Sequence, residues 1–232
     1  VYLNGLEVGA HHYGYTAFDV DISDVVRVEE NTLRVTVDNS LEPNCRWYSG
    51  SGIYRAVTML IRDRSHISSV HLETADIHPA KVKVDVITTN PCDVTVEFYD
   101  GKTLVASGAP GILSIPDAKL WSAENPYLYR VLVKTNTDER TIPFGIRKLC
   151  WSAKTGLTVN GDEVLLRGGC IHHDHGVLGA REYPDAEERR IRILKENGFN
   201  AVRISHNPAS QIMLDVCDRL GMYVMNETFD GW

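Results

Sequence analysis

The spacing of apolar residues changes once along this 232-residue chain, near residue 157, and that change narrows the folds open to it. Ahead of it, apolar and polar residues alternate in short runs, the period of a half-buried β-strand. Behind it, short apolar runs are separated by longer stretches with helical spacing, the rhythm of βαβ units around a parallel sheet. One chain therefore joins an all-β part to an α/β part, and the protein reads as multidomain.

In the β part, Val1–Leu3 and Leu6–Ala10 flank Asn4-Gly5, a strong hairpin signal. Phe18–Ile22 and Thr32–Asp38 alternate with period two, and Ile53–Ile61 is a further strand candidate. Asp63-Arg64-Ser65 marks the first boundary. Beyond it come strands at Ile67–Thr74, Lys81–Thr88, Asp93–Tyr99, Ile112–Ile115, Tyr127–Lys134 and Arg140–Phe144, with turns at Asn90-Pro91, Asp100-Gly101 and Ala109-Pro110-Gly111. Short strands at such intervals suggest an immunoglobulin-like β-sandwich. Leu120–Pro126 reads as a packed loop between two of them.

After residue 157 a hairpin (Gly156–Val159, Asn160-Gly161, Glu163–Arg167) leads into the α/β part. Asp185-Ala-Glu-Glu188 has the form of a capping box opening a helix that stops at Gly198. Asn200–Ile204 is a short buried strand, Pro208-Ala-Ser210 opens a second helix ending at Gly221, and Met222–Met225 is a third strand.

Three polar clusters follow the three apolar runs of this part: His172-His173-Asp174-His175, Arg203-Ile-Ser-His206-Asn207, and Asn226-Glu227-Thr-Phe-Asp230. At the C-terminal ends of parallel strands they would converge on one rim, where (β/α) folds carry their chemistry. A metal site could use imidazole and carboxylate, but successive side chains of an extended segment point to opposite faces, so only His173 and His175 could share one. A hydrogen-bonding rim for a polar ligand fits the spacing better, and a solvated loop is the plain alternative. Arg203 sits in the apolar run Ala-Val-Arg-Ile, so its guanidinium is expected to enter a protein interior. There it needs a carboxylate such as Glu227 or Asp230, or a ligand. Glycosidic chemistry needs two carboxylates on either side of the bond, whereas Glu227 and Asp230 share one strand end, so a supporting role is expected for them. In the β part, Asn44-Cys-Arg46-Trp47-Tyr48 suits a sugar-lined surface or a loop plugging a domain interface.

The net charge of −7 gives no reason to expect nucleic acid, and no apolar run is long enough for a membrane span. Cys45, Cys92, Cys150, Cys170 and Cys217 are widely spaced and odd in number, which suggests reduced, mostly buried thiols and favours a cytoplasmic setting.

Taken in order, these motifs resemble glycoside hydrolase family 2, the β-galactosidase and β-glucuronidase family. Val1–Gly9, Gly14–Phe18 and Arg46–Arg55 resemble the end of its N-terminal sugar-binding jelly roll. Leu120–Tyr129 and Phe144–Lys148 resemble the close of its immunoglobulin-like domain, and Gly156–Gly168 the start of its TIM barrel. Asn200–Pro208 together with Cys217–Val224 is close to the family signature. The resemblance implies three parts: a partial jelly roll over 1–64, an immunoglobulin-like sandwich over 65–148, and the first three βα units of a TIM (β/α)8 barrel over 149–232.

It also implies a retaining glycosidase acting on terminal β-linked sugars. Its acid/base and nucleophile, two glutamates after later barrel strands, would lie outside this chain, leaving no catalytic residue within it and the chain by itself inactive. The residues present would bind substrate: His173, Asp174, Arg203, His206, Glu227 and Asp230 on the rim, with Arg46 reaching in from the jelly roll. The family default is a galactoside, with a glucuronide as rival because Arg46 or Arg203 could pair with a sugar carboxylate. No cofactor is expected, although a divalent cation is compatible with the intact enzyme, whose partners would be carbohydrate substrate and further copies of itself. A non-catalytic carbohydrate-binding or structural protein of the same parts, and a metal hydrolase using the histidines, are the competing classes.

Overall fold

A computed structural model describes residues 1–40 and 51–228. The expected loop around Arg46 and the position of Asp230 lie outside the described residues. The fold is mostly β, with two α-helices near its C-terminal side.

The first forty residues contribute a small antiparallel sheet of β1 (Tyr2–Leu3), β2 (Leu6–Glu7) and β3 (Leu33–Arg34), with β1 in the middle. Asn4 and Gly5 both take positive φ at the β1–β2 turn, as the Asn-Gly signal requires. The other expected strands here are corrected. Phe18–Ile22 and Ile53–Ile61 form no strand, and Thr32–Asp38 pairs only through Leu33 and Arg34. Alternation specifies a strand only where a neighbour supplies the ladder and a covered face. Neither is present among the described residues, and Met59, Leu60 and Ile61 stay exposed.

The sandwich follows. One sheet has the order β4 (Ile67–Ile77), β5 (Ala80–Thr88), β8 (Gly111–Ser114). The other has the order β10 (Glu139–Phe144), β9 (Tyr129–Lys134), β6 (Thr95–Asp100), β7 (Thr103–Gly108). Ile67, Val82 and Val84 from the first sheet and Val96, Phe98, Val131 and Val133 from the second are all fully buried in one core. Strand β7, which sequence reading passed over, is an edge strand beginning directly after the Asp100-Gly101 turn, where only one pairing partner is needed.

The hairpin after the sandwich has a third strand: β11 (Leu149–Ser152) pairs with β12 (Gly156–Val159), which pairs with β13 (Asp162–Glu163). The parallel sheet has the order β14 (Gly168–Ile171), β15 (Ala201–Ile204), β16 (Tyr223–Asn226), with α1 (Pro184–Glu196) and α2 (Gln211–Leu220) as its crossovers. Val202 and Ile204 pack with Ile191, Met213, Val216 and Cys217 on the helix side. Gly168 lies so close to β15 that a Cβ there would meet the Ala201 carbonyl oxygen at 2.3 Å.

Helix α1 begins two residues earlier than the capping box implies. Tyr183 is its N-cap, without a side-chain hydrogen bond, and Pro184 fills its first position. Proline's preset φ and missing N–H suit that place, so the carboxylates are released for other partners. Helix α2 is capped by Ser210, whose hydroxyl accepts from the Met213 N–H at 3.2 Å.

Leu120–Pro126 is the packed loop expected, and it joins the two parts. Trp121 is buried under the Arg147 guanidinium, and its indole N–H donates to the Asp218 carbonyl at 2.8 Å. Gly221 caps α2 at φ +76° against the Ala123 carbonyl, where a Cβ would come within 2.3 Å. The thiols do not follow expectation: Cys150 and Cys170 are exposed, Cys92 is half-buried, and only Cys217 of those described is buried. Burial pushes the Cys217 thiol up to about 12.

Candidate sugar-binding site at the strand ends

The parallel register aligns Cys170 with Arg203 and Met225, and Ile171 with Ile204 and Asn226. Since Ile204 faces the helices, alternation turns Arg203 to the opposite face of the sheet. There its Nε donates to Glu227 Oε1 at 2.6 Å, and Nη2 reaches the same oxygen. The other Glu227 oxygen lies 3.3 Å from His206 Nδ1. Arg203 and His206 from one cluster and Glu227 from another thus form one connected group. Within this chain the Arg203 side chain is 40% exposed, and it is paired with Glu227, the carboxylate partner expected of it.

The Arg203 guanidinium also reaches Cys170 Sγ at 3.6 Å. Hydrogen bonding from Ser205 and from Arg203 holds that thiol below its ordinary value. The His172 ring meets the His206 ring edge to face, with centroids 5.5 Å apart. A rim of two imidazoles, a carboxylate and a guanidinium offers donors and acceptors at several heights, the chemistry that a polyol requires.

His173 lies beneath the rim. Its side chain is only 4% exposed, and Nε2 donates to the Asn207 carbonyl at 3.2 Å while Nδ1 faces Glu182 Oε1 at 3.8 Å. Both ring nitrogens are directed at protein groups, so His173 supports the rim from beneath. His175 does not share a site with it: Nε2 of His175 binds the buried Glu187 at 2.5 Å, well to the helix side. No group of three or more histidine, cysteine or carboxylate side chains able to hold a metal occurs among the described residues. Asp174 stands on the rim loop, its backbone carbonyl accepting from Arg190 of α1.

Several residues of the site escaped sequence reading. Arg55 donates to the Tyr15 carbonyl at 3.0 Å and to the Pro208 carbonyl at 3.1 Å, and its Nη2 lies 3.6 Å from Glu182. The Tyr13 hydroxyl donates to the Asn207 side chain, and the Tyr15 ring lies 5.5 Å from that of His173. The β part therefore reaches the strand-end rim through Tyr13, Tyr15 and Arg55. The one available signal was a charged residue ending Ser-Gly-Ile-Tyr-Arg55 in an otherwise apolar run.

Comparison with known proteins gives two family models, in sequence, and a set of relatives. The model for glycosyl hydrolases family 2 matches residues 56–147, and that for the family 2 TIM barrel domain matches residues 153–230. All of the chain aligns with the beta-galactosidase BoGH2A of Bacteroides ovatus at 36% identity, and with a putative beta-glucuronidase of Formosa agariphila at 34%. It spans 31% and 24% of those two proteins. Among solved structures, a glycosyl hydrolase family 2 member from Bacteroides cellulosilyticus superposes with a TM-score of 0.89 at 36% identity, over all of this chain and 34% of that one. A beta-glycosidase from Bacteroides vulgatus gives 0.90 at 31% identity, over all of this chain and 33% of that one. With both family models in sequence and relatives matching from end to end, the chain belongs to glycoside hydrolase family 2.

Proposed function

We propose that this chain is the part of a retaining β-glycosidase that links a sugar-binding jelly roll (1–64) through an immunoglobulin-like sandwich (65–148) to the first βα units of the catalytic TIM barrel (149–232). In that reading the two catalytic glutamates lie outside the chain. Its own residues build one wall of the sugar site. The observation that carries it is the connected Arg203–Glu227–His206 group at the parallel strand ends, with His172 against it.

The chemistry of that group favours binding over catalysis. A retaining mechanism needs two carboxylates about 5 Å apart across the glycosidic bond, one to protonate the leaving oxygen and one to attack the anomeric carbon. Glu227 is instead fixed by two nitrogens of one guanidinium. A carboxylate so engaged is a fixed acceptor for sugar hydroxyls, and Arg203 keeps it in place. The same pairing bears on the sugar. With Arg203 neutralised by Glu227, it offers a sugar carboxylate no unopposed charge, so a terminal β-galactoside fits this wall better than a β-glucuronide.

A panel of aryl β-glycosides given to the full-length protein tests the reading. The β-galactoside should turn over fastest with retained anomeric configuration, and the 232-residue chain alone should turn over none. Hydrolysis by the isolated chain, or inversion by the full-length protein, overturns the assignment of the missing glutamates. Faster turnover of the glucuronide overturns the choice of sugar.

A further inference from the structure

The segment Asn207–Ala209, directly after His206, is held from four directions. The Asn207 carbonyl accepts from His173, its side-chain oxygen from Tyr13, and the Pro208 carbonyl from Arg55, while the Ala209 N–H donates to the Asn226 side chain at 2.9 Å. Two of these donors, Arg55 and His173, come from distant parts of the sequence and converge on one carboxylate. Glu182 Oε1 lies 3.6 Å from Arg55 Nη2 and 3.8 Å from His173 Nδ1, with the Glu182 side chain only 8% exposed. Adjacent backbone carbonyls are thus reached by two side chains that share a single buried anion.

We propose that Glu182 is a positioning residue, which aligns Arg55 and His173 on the Asn207–Pro208 backbone and thereby sets the place of His206 at the sugar-binding rim. The proposal rests on the glycosidase reading only in its last step. Burial alone would push the Glu182 carboxyl up. Polar contact with His173 and Ser210 and the positive charge of Arg55 outweigh it, so the group is held below its ordinary range and carries its charge. A buried ion pair of this kind adds little net stability, because desolvation offsets the attraction, but its geometry is directional. Here that direction is shared by two donors and passed to one loop. Glu182 touches no rim group that would meet the sugar, and acts through its neighbours.

Glu182→Gln keeps the shape and removes the charge. In the full-length enzyme it should lower kcat/KM for the preferred aryl glycoside by about ten- to a hundredfold, the range that a misplaced binding group can cost. In the His206→Ala background the same change should cost much less, because the group being placed is gone. Equal factors in both backgrounds, as a general weakening of the fold would give, overturn the proposal. Amide hydrogen exchange gives a readout that does not depend on activity. Exchange should accelerate in peptides spanning 205–210 and remain unchanged in the sandwich strands; unchanged exchange in 205–210, or acceleration throughout, overturns it. If the full-length protein cleaves no β-glycoside, the functional reading fails and the exchange experiment still decides the positioning. Should Glu182→Gln fail to fold, Arg55→Lys removes the fork that spans Tyr15, Pro208 and Glu182 while keeping the charge, and the same outcomes apply.

Discussion

The β-sandwich and the strand-end rim are built on opposite principles. The sandwich is held by many interchangeable apolar contacts: two sheets close over Ile67, Val82, Val84, Val96, Phe98, Val131 and Val133, all removed from solvent. The rim is held by single polar contacts between residues far apart in sequence, such as Tyr13 with Asn207 and Arg55 with Pro208. Loss of one apolar group from the first leaves its neighbours to relax into the space. Loss of one partner from the second leaves a buried polar group unsatisfied and a loop out of place. The sandwich should therefore fail in stability and the rim in geometry.

The largest expected effect tests the first half of that contrast. Phe98 is fully buried where the two sheets meet. Phe98→Ala should cost about 3–5 kcal/mol in urea unfolding, from lost burial and the cavity left behind. Phe98→Leu should recover much of the loss, since an apolar core tolerates changes of shape better than changes of volume. If Leu and Ala are equally damaging, the core depends on aromatic packing and the contrast with the rim weakens.

Next comes a buried charge on the helix side of the parallel sheet. Glu187 is 1% exposed, held by His175 at 2.5 Å and by Arg190 only at 3.9 Å. His175→Ala should destabilise by about 3 kcal/mol, because it strands a carboxylate in the interior. The double variant His175→Ala/Glu187→Leu should regain most of that, since no charge is then left to solvate. Failure of the second change to restore stability would mean that the pair contributes directly, and not only through the penalty of breaking it.

This division explains what could be read in advance. Strands β4, β5, β6, β9 and β10 were legible because period-two alternation and turn residues are local signals of a core that is local in construction. The meeting of the strand-end clusters was legible as well, because residues that follow neighbouring parallel strands lie at one edge of the sheet, and Arg203, His206 and Glu227 do meet there. The depth of His173, the pairing of His175 with Glu187, and the reach of Arg55 to Pro208 were not legible. Each depends on side-chain contacts across loops whose course no local pattern states. The strand candidate Ile53–Ile61 forms no strand for the complementary reason: an apolar run announces a face to be buried without naming what buries it.

Ser210 belongs to both kinds of construction, and gives the smallest and most discriminating test. Its hydroxyl caps α2 by accepting from the Met213 N–H, a local and replaceable contribution to stability. It also lies against Glu182, where it helps to keep that carboxylate charged beneath the rim. Ser210→Ala removes both contacts and should cost about 1 kcal/mol in unfolding, the usual loss of an N-cap. Ser210→Gly costs the helix end only a few tenths of that, by the same ranking, yet loses the hydroxyl beside Glu182 equally. If the rim depends on directed contacts, the two variants should differ in stability but share one modest decrease in kcat/KM. If their activities follow their stabilities instead, the rim draws its geometry from the helix as a whole, and the distinction between the two regions is one of degree.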